Sequence, residues 1–125
     1  NLLCGFFALW EFSDFIYIEH FAVAEHMRCS GFGGKMLDLL CSTAKKQIIL
    51  ESELPENELA ARRINFYIRH GFYKNGYPYI QPPMEEGRSP IPLCIMSFNG
   101  EIDKARFENI KSTLYKKVYN KPPEI

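Results

Sequence analysis

Apolar and aromatic side chains crowd residues 2–12, break at Ser13 and Asp14, and resume over residues 15–23, which predicts two strands joined by a tight turn. In the second strand Ile16, Ile18 and Ala22 fall on one face and Phe15, Tyr17, Phe21 and Val23 on the other. Both faces are apolar, so the strand belongs inside a sheet. From Phe32 the period lengthens: Met36, Leu37, Leu40 and Ala44 form a helical stripe that runs out at Lys45 and Lys46, cations suited to a helix C-terminus. Residues 47–50 predict a short strand. Pro55 suits the first turn of a second helix with Ala60, Ala61, Ile64, Tyr67 and Ile68 on its apolar side. Gly71 followed by Phe72 has the composition of a left-handed C-terminal cap. An aromatic run over 72–80, interrupted at Asn75-Gly76, reads as strand, the proline-rich residues 81–92 as loop, and residues 93–98 as strand again. Phe107, Ile110, Leu114 and Val118 then recur at helical spacing until Pro122 and Pro123 stop them. The order strand, strand, helix, strand, helix, strand, strand, helix predicts a mixed α/β layer structure.

Composition narrows the function. A chain of 125 residues supports one core and no second. With 24% charged and 14% aromatic residues it is not disordered. Its 15 basic and 15 acidic side chains cancel, so no global field draws it to nucleic acid or an anionic membrane. The cancellation hides a dipole: residues 1–60 hold nine acids and four bases, the rest six acids and eleven bases. The longest apolar stretch, residues 1–10, is about half of a bilayer span and lacks a basic flank, so a membrane helix and a signal peptide are both unexpected. The protein reads as cytoplasmic. Cys4, Cys29, Cys41 and Cys94 show neither CxxC nor zinc-ligand spacing and are expected to be reduced, buried and free of metal.

The strongest chemical signal is Arg28-Cys29-Ser30-Gly31-Phe32-Gly33-Gly34-Lys35, between a buried strand and an amphipathic helix. Glycines there let the backbone turn several N–H groups toward an anion, and the helix adds the positive end of its dipole. Arg28 and Lys35 supply full charges. A plain glycine-rich turn is the competing interpretation. The spacing is not that of a Walker A loop, because Cys29 and Met36 occupy the positions where that loop needs a glycine and a hydroxyl. Nor is it a dinucleotide fingerprint, whose third glycine would replace Met36.

The pattern that fits is Arg-x-x-Gly-x-Gly, at Arg28, Gly31 and Gly33, after a strand ending Phe21-Ala22-Val23. Here the chain resembles the GNAT superfamily of acetyl-CoA-dependent N-acetyltransferases. A second family signature follows on the next helix: Phe66-Tyr67-Ile68-Arg69-His70-Gly71-Phe72 is similar to Phe-Tyr-x-x-x-Gly-Phe. The resemblance spans residues 2–98 and implies a GNAT-like mixed sheet flanked by helices over residues 1–125, a single domain. It also implies that the first strand and helices of the fold, roughly a quarter to a third of an ordinary member, lie outside this sequence.

The resemblance assigns roles. Phe21, Ala22 and Val23 would bond the pantetheine arm of acetyl-CoA through the main chain, and Arg28, Cys29, Ser30, Gly31, Phe32, Gly33 and Gly34 would hold its pyrophosphate. An N–H near Val23, where the family's strand splays from its neighbour, would stabilise the oxyanion. Tyr67 would protonate the departing thiolate, a modestly uphill step from a phenol of pKa about 10 to a thiol of about 8.5. The acceptor, a primary amine of a small molecule or peptide, has a pKa of about 10.4 and needs a base at neutral pH. Glu19, the lone acid in an apolar strand, is the candidate, directly or through water, with a pairing to Arg63 or His20 as the alternative. His20 is expected on the opposite face from Glu19, and His70 at a helix C-terminus. Cys29, beside helix amides, is an alternative nucleophile, although direct transfer needs no acyl-enzyme. For the acceptor, the segment 73–92 offers Tyr77, Tyr79, Glu85 and Glu86, unless it is simply a solvated loop. No metal is implied, and a homodimer is compatible. Ala60 and Arg63 stand where the family often carries Asn and Ala, so an acyl-CoA-binding module without turnover is the alternative. A nucleotide-binding domain unrelated to acyl transfer is a third reading.

Overall fold

The computed structural model describes residues 3–83 and 87–121. The first hairpin is β1 (Gly5–Glu11) and β2 (Phe15–Val23), antiparallel as the pattern predicts. A single 3-10 turn (Glu25–Met27) leads into helix α1 (Phe32–Thr43), then β3 (Gln47–Glu53), α2 (Glu58–Arg69), β4 (Phe72–Lys74), β5 (Tyr79–Gln81), β6 (Ile91–Phe98) and α3 (Lys104–Thr113). A π-helical turn (Leu114–Val118) continues α3. The six strands form one sheet in the order β1-β2-β3-β6-β4, with β5 also on β6; β2 and β3 are parallel and the other pairs antiparallel.

Each face of the sheet carries its own core. Leu37, Cys41 and Ile64 from α1 and α2 pack with Ile18, Ile48, Leu50, Phe72, Cys94 and Met96 on one face. On the other, Phe107, Ile110, Leu114, Tyr115 and Tyr119 pack with Phe15, Tyr17, Ile49, Tyr79 and Ile95. Burying both faces is what makes Ile48, Ile49 and Leu50 a continuous apolar run.

Several boundaries differ from the expectation. Helix α2 starts at Glu58, not at Pro55, because the Asn57 side chain accepts the Ala60 N–H at 2.8 Å and caps it; Pro55 stays in the connection. Helix α1 stops at Thr43, and Lys46 does not serve the helix end: its Nζ reaches Glu11 at 2.9 Å and the Phe12 carbonyl at 2.8 Å, fastening the first hairpin. The proline-rich loop is shorter than 81–92, since β6 begins at Ile91. Pro92 is tolerated just beyond the last β3 partner, Leu93 opposite Glu53. Gly71 is left-handed as expected, φ 95°. Pro122 and Pro123 lie outside the described residues.

The face assignment of β2 also changes. The register steps from Leu9 opposite Ile18 to Ala8 opposite His20, which leaves Glu19 as the extra residue of a β-bulge. Past a bulge the alternation is inverted. Phe21 therefore packs on the same face as Ile16 and Ile18, not with Phe15 and Tyr17.

Candidate active site

Strands β2 and β3 pair in parallel from Phe15 with Gln47 to Ile18 with Leu50, and there the ladder ends. Beyond it β2 follows β1 to Val23 while β3 follows β6 to Glu53. The sheet opens into a wedge between residues 19–23 and 51–53, and a cavity lies on either side.

The first cavity, about 570 Å³, is built where the end of β2 meets the start of α1 and the end of α2. Left-handed backbone at Cys29 (φ 63°) and Gly31 (φ 82°) turns the chain sharply ahead of the helix. Gly31 is the N-cap and provides no side-chain acceptor, so the first N–H groups of α1 emerge without a helical partner. Arg28 Nε donates to the Val23 carbonyl at 3.1 Å and ties this turn to the end of β2. Gly33 and Gly34 allow close packing: a Cβ on Gly33 would lie 3.3 Å from Val23 Cγ2, and one on Gly34 only 2.6 Å from His70 Cε1. Arg28, Lys35 and Arg69 line the cavity, and its acid, Asp38, is engaged by His70 Nδ1 at 2.8 Å. A glycine-lined, cation-rich cradle at a helix N-terminus selects phosphate. Beside an open wedge it fits a phosphorylated carrier with a narrow arm such as coenzyme A.

The second cavity, about 460 Å³, lies across the wedge and is lined by Glu19, Glu51, Ser52, Arg63 and Tyr67 among others. Tyr67 is wedged edge-on between Phe66 (5.4 Å) and Phe72 (5.6 Å). Its hydroxyl takes no hydrogen-bond partner among the described residues. Burial raises its pKa, opposed in part by the charge of Arg63, so the phenol keeps its proton at neutral pH. Glu19 Oε1 accepts the Trp10 indole N–H at 2.9 Å. Arg63 pairs with Glu53 at 2.8 Å, and among the described residues no hydrogen bond or ion pair joins Glu19 to Arg63 or His20. Because of the bulge, His20 lines this cavity together with Glu19 instead of facing away.

The structure thus brings Phe21, Val23, Arg28, Cys29, Gly31, Gly33 and Gly34 together around one cavity and Glu19 and Tyr67 around the other. Ala22 pairs with Phe6 in the first hairpin, and the Ser30 hydroxyl turns back to the Met27 carbonyl; neither they nor Phe32 line these two cavities. Cys29 is exposed and Cys4 half-buried, contrary to expectation; only Cys41 and Cys94 are buried, and no disulfide links the four. Tyr77 stacks on Phe107 at 4.9 Å and Tyr79 is buried in the core, while Glu85 and Glu86 lie outside the described residues. Sequence reasoning missed Arg69 and His70 as cavity residues, although their place one turn beyond Phe66 carried the signal. It also missed Glu51, Tyr17, Tyr119 and Gln81, which are brought together only by the fold. Among the described residues no group of three or more metal-ligating side chains gathers, and no helix is long and apolar enough to cross a membrane.

Comparison with known proteins follows the same lines. A family model described as an acetyltransferase (GNAT) domain matches residues 1–74. A solved GNAT-family protein from Bacteroides thetaiotaomicron is 40% identical with a TM-score of 0.89, the match covering 95% of this chain and 68% of that one. Two more distant structures share the fold. A Bacillus subtilis acetyltransferase solved with CoA has a TM-score of 0.58 at 17% identity, over 81% of this chain and 72% of that one. An IAA acetyltransferase from Bacillus cereus has a TM-score of 0.55 at 20% identity, over 76% and 69%. Among curated proteins none matches.

Proposed function

The chain belongs to the GNAT acetyltransferase family, and from that premise we propose that it transfers an acetyl group from acetyl-CoA to a primary amine of a small molecule or peptide by direct attack. The observation that carries this reading is the wedge itself, with an anion cradle at one side and a cavity holding a carboxylate and a protonated phenol at the other. In it, Arg28 and the amides of residues 29–34 hold the pyrophosphate, and the freed backbone of residues 21–23 holds the arm. Glu19, with Oε1 fixed by Trp10 and Oε2 available, takes the proton from the amine, directly or through one water.

The amine nitrogen bonds to the acetyl carbonyl carbon, an N–H near Val23 stabilises the oxyanion, and the C–S electron pair leaves with sulfur. Tyr67 gives its proton to that thiolate. Burial makes the transfer more uphill than the free-solution values suggest, but it guarantees that the donor is protonated.

Thiol release from acetyl-CoA over a panel of amines, read beside calorimetric binding, tests the assignment. Tyr67→Phe is expected to lower kcat by about 10²-fold while acetyl-CoA still binds. Gly33→Glu is expected to abolish acetyl-CoA binding in a chain that still folds, because its carboxylate enters the anion cradle. Near-full turnover of Tyr67→Phe at every pH would remove the acid role. Tight binding with no thiol release from any amine would identify the module without turnover instead.

A further inference from the structure

Glu51 is the first residue of β3 beyond the last parallel rung, Ile18 with Leu50, so it stands at the apex of the wedge. Donors from three other parts of the chain converge on its carboxylate. Tyr17 from β2 donates to Oε1 at 2.7 Å, Tyr119 from beyond the π turn donates to the same oxygen at 2.5 Å, and Tyr79 from β5 donates to Oε2. Gln81 Nε2 adds a long contact to Oε1 at 3.4 Å and donates to the Tyr119 hydroxyl at 2.9 Å. Every one of these partners is neutral, and an ionised carboxylate, which only accepts, matches a set made wholly of donors. Burial and the nearby charge of Glu51 raise the pKa of all three phenols, which therefore remain donors across the working range.

Among the described residues only Tyr79 engages Oε2, which leaves that oxygen with acceptor capacity, and Glu51 is half-buried on the wall of the cavity that also holds Glu19 and Tyr67. Glu19 likewise has a neutral partner, the Trp10 indole, while the cavity's one arginine is taken by Glu53. The space into which the acceptor must enter therefore carries two carboxylates to which, among the described residues, no cationic side chain is bonded. A low-dielectric wall makes such a charge costly unless the occupant neutralises it.

We propose that Glu51 is the specificity-determining residue of the acceptor cavity, binding a second cationic group on an acceptor whose reacting amine is directed to Glu19. This rests on the acetyltransferase reading above. The phenols position the carboxylate, and the charge selects the acceptor.

The test compares two acceptors of equal length, an alkyl diamine and an amino alcohol, by steady-state thiol release with the wild-type chain and Glu51→Gln, alongside acetyl-CoA binding by calorimetry. The wild type is expected to favour the diamine by about tenfold or more in kcat/KM, the usual worth of a charge-assisted contact. Glu51→Gln should lose that preference through a raised KM for the diamine, with the amino alcohol and acetyl-CoA affinity little changed, and Glu51→Asp should restore part of it. Equal kcat/KM for the two acceptors with the wild type overturns the proposal whether or not the variants fold. So does a Glu51→Gln variant that slows both acceptors alike, which marks a merely structural carboxylate. No turnover with any amine while acetyl-CoA binds overturns the transferase reading and this inference with it, whereas turnover without preference overturns only the inference.

Discussion

Gly34 shows how much of the glycine-lined cavity depends on single atoms. A methyl group there would stand 2.6 Å from His70 Cε1, and His70 cannot swing freely, because Asp38 holds it at 2.8 Å and Phe66 packs on it at 4.7 Å between ring centroids. Gly31 is the opposite case: nothing lies within 4 Å of its missing Cβ, but its φ of 82° resists a side chain. Gly34→Ala is therefore expected to destabilise the chain by about 1–3 kcal/mol through overpacking and to weaken acetyl-CoA binding about tenfold, checked by thermal melts and calorimetry. An unchanged melt and an unchanged Kd would show that the α1–α2 contact is slack. The glycine turn was legible in the sequence, since Arg-x-x-Gly-x-Gly is contiguous. Which glycine serves close packing and which serves a left-handed turn was not, because the partner of Gly34 lies on another helix.

Among the elements, the bulge at Glu19, the connection between β4 and β5, and the π turn after α3 each redirect side chains. The bulge sets Phe21 against the α1–α2 face and brings Glu19 and His20 onto one cavity wall, results that strict alternation along β2 predicts wrongly. The π turn closes with the Tyr119 N–H on the Leu114 carbonyl at 3.0 Å, and the extra residue in that turn moves Tyr119 onto the buried side. Asn75, expected only to interrupt a strand, is 2% exposed and satisfies three partners: it donates to the Ile95 carbonyl at 3.0 Å and Ser97 Oγ at 2.9 Å and accepts the Ile102 N–H at 3.0 Å. Removing it would leave the Ile102 N–H at the entry to α3 without its acceptor and Ser97 Oγ without a donor, while the Ile95 carbonyl keeps the Asn75 backbone N–H at 3.1 Å. Asn75→Ala is expected to cost about 2–3 kcal/mol in urea unfolding. A loss under half of that would mean that water replaces the amide.

At the scale of the molecule, the sheet is a partition between two cores, and the wall around Glu51 carries a pH dependence. The folded chain keeps the phenols of Tyr17, Tyr79 and Tyr119 protonated well above the ordinary tyrosine value, first by burial and then by the carboxylate charge. With folded values raised, their contribution to stability is fully present below the unfolded pKa of about 10 and declines as pH rises above it, when the unfolded chain binds fewer protons than the folded one. Thermal melts across the alkaline range should show a falling midpoint there, with a shallower slope in Tyr119→Phe; identical slopes would exclude the phenols as its source. The sequence by itself determined the alternation of strands and helices, the glycine turn ahead of α1 and the Phe66–Phe72 signature, because those depend on side-chain periodicity and on glycines adjacent in the chain. Only the tertiary structure decided where β2 and β3 part, that Glu19 occupies a bulge, and that Glu51 gathers Tyr17, Tyr79 and Tyr119. Strand register, and contacts between residues far apart in the chain, are set by packing both faces of the sheet at once, a condition that no local pattern contains.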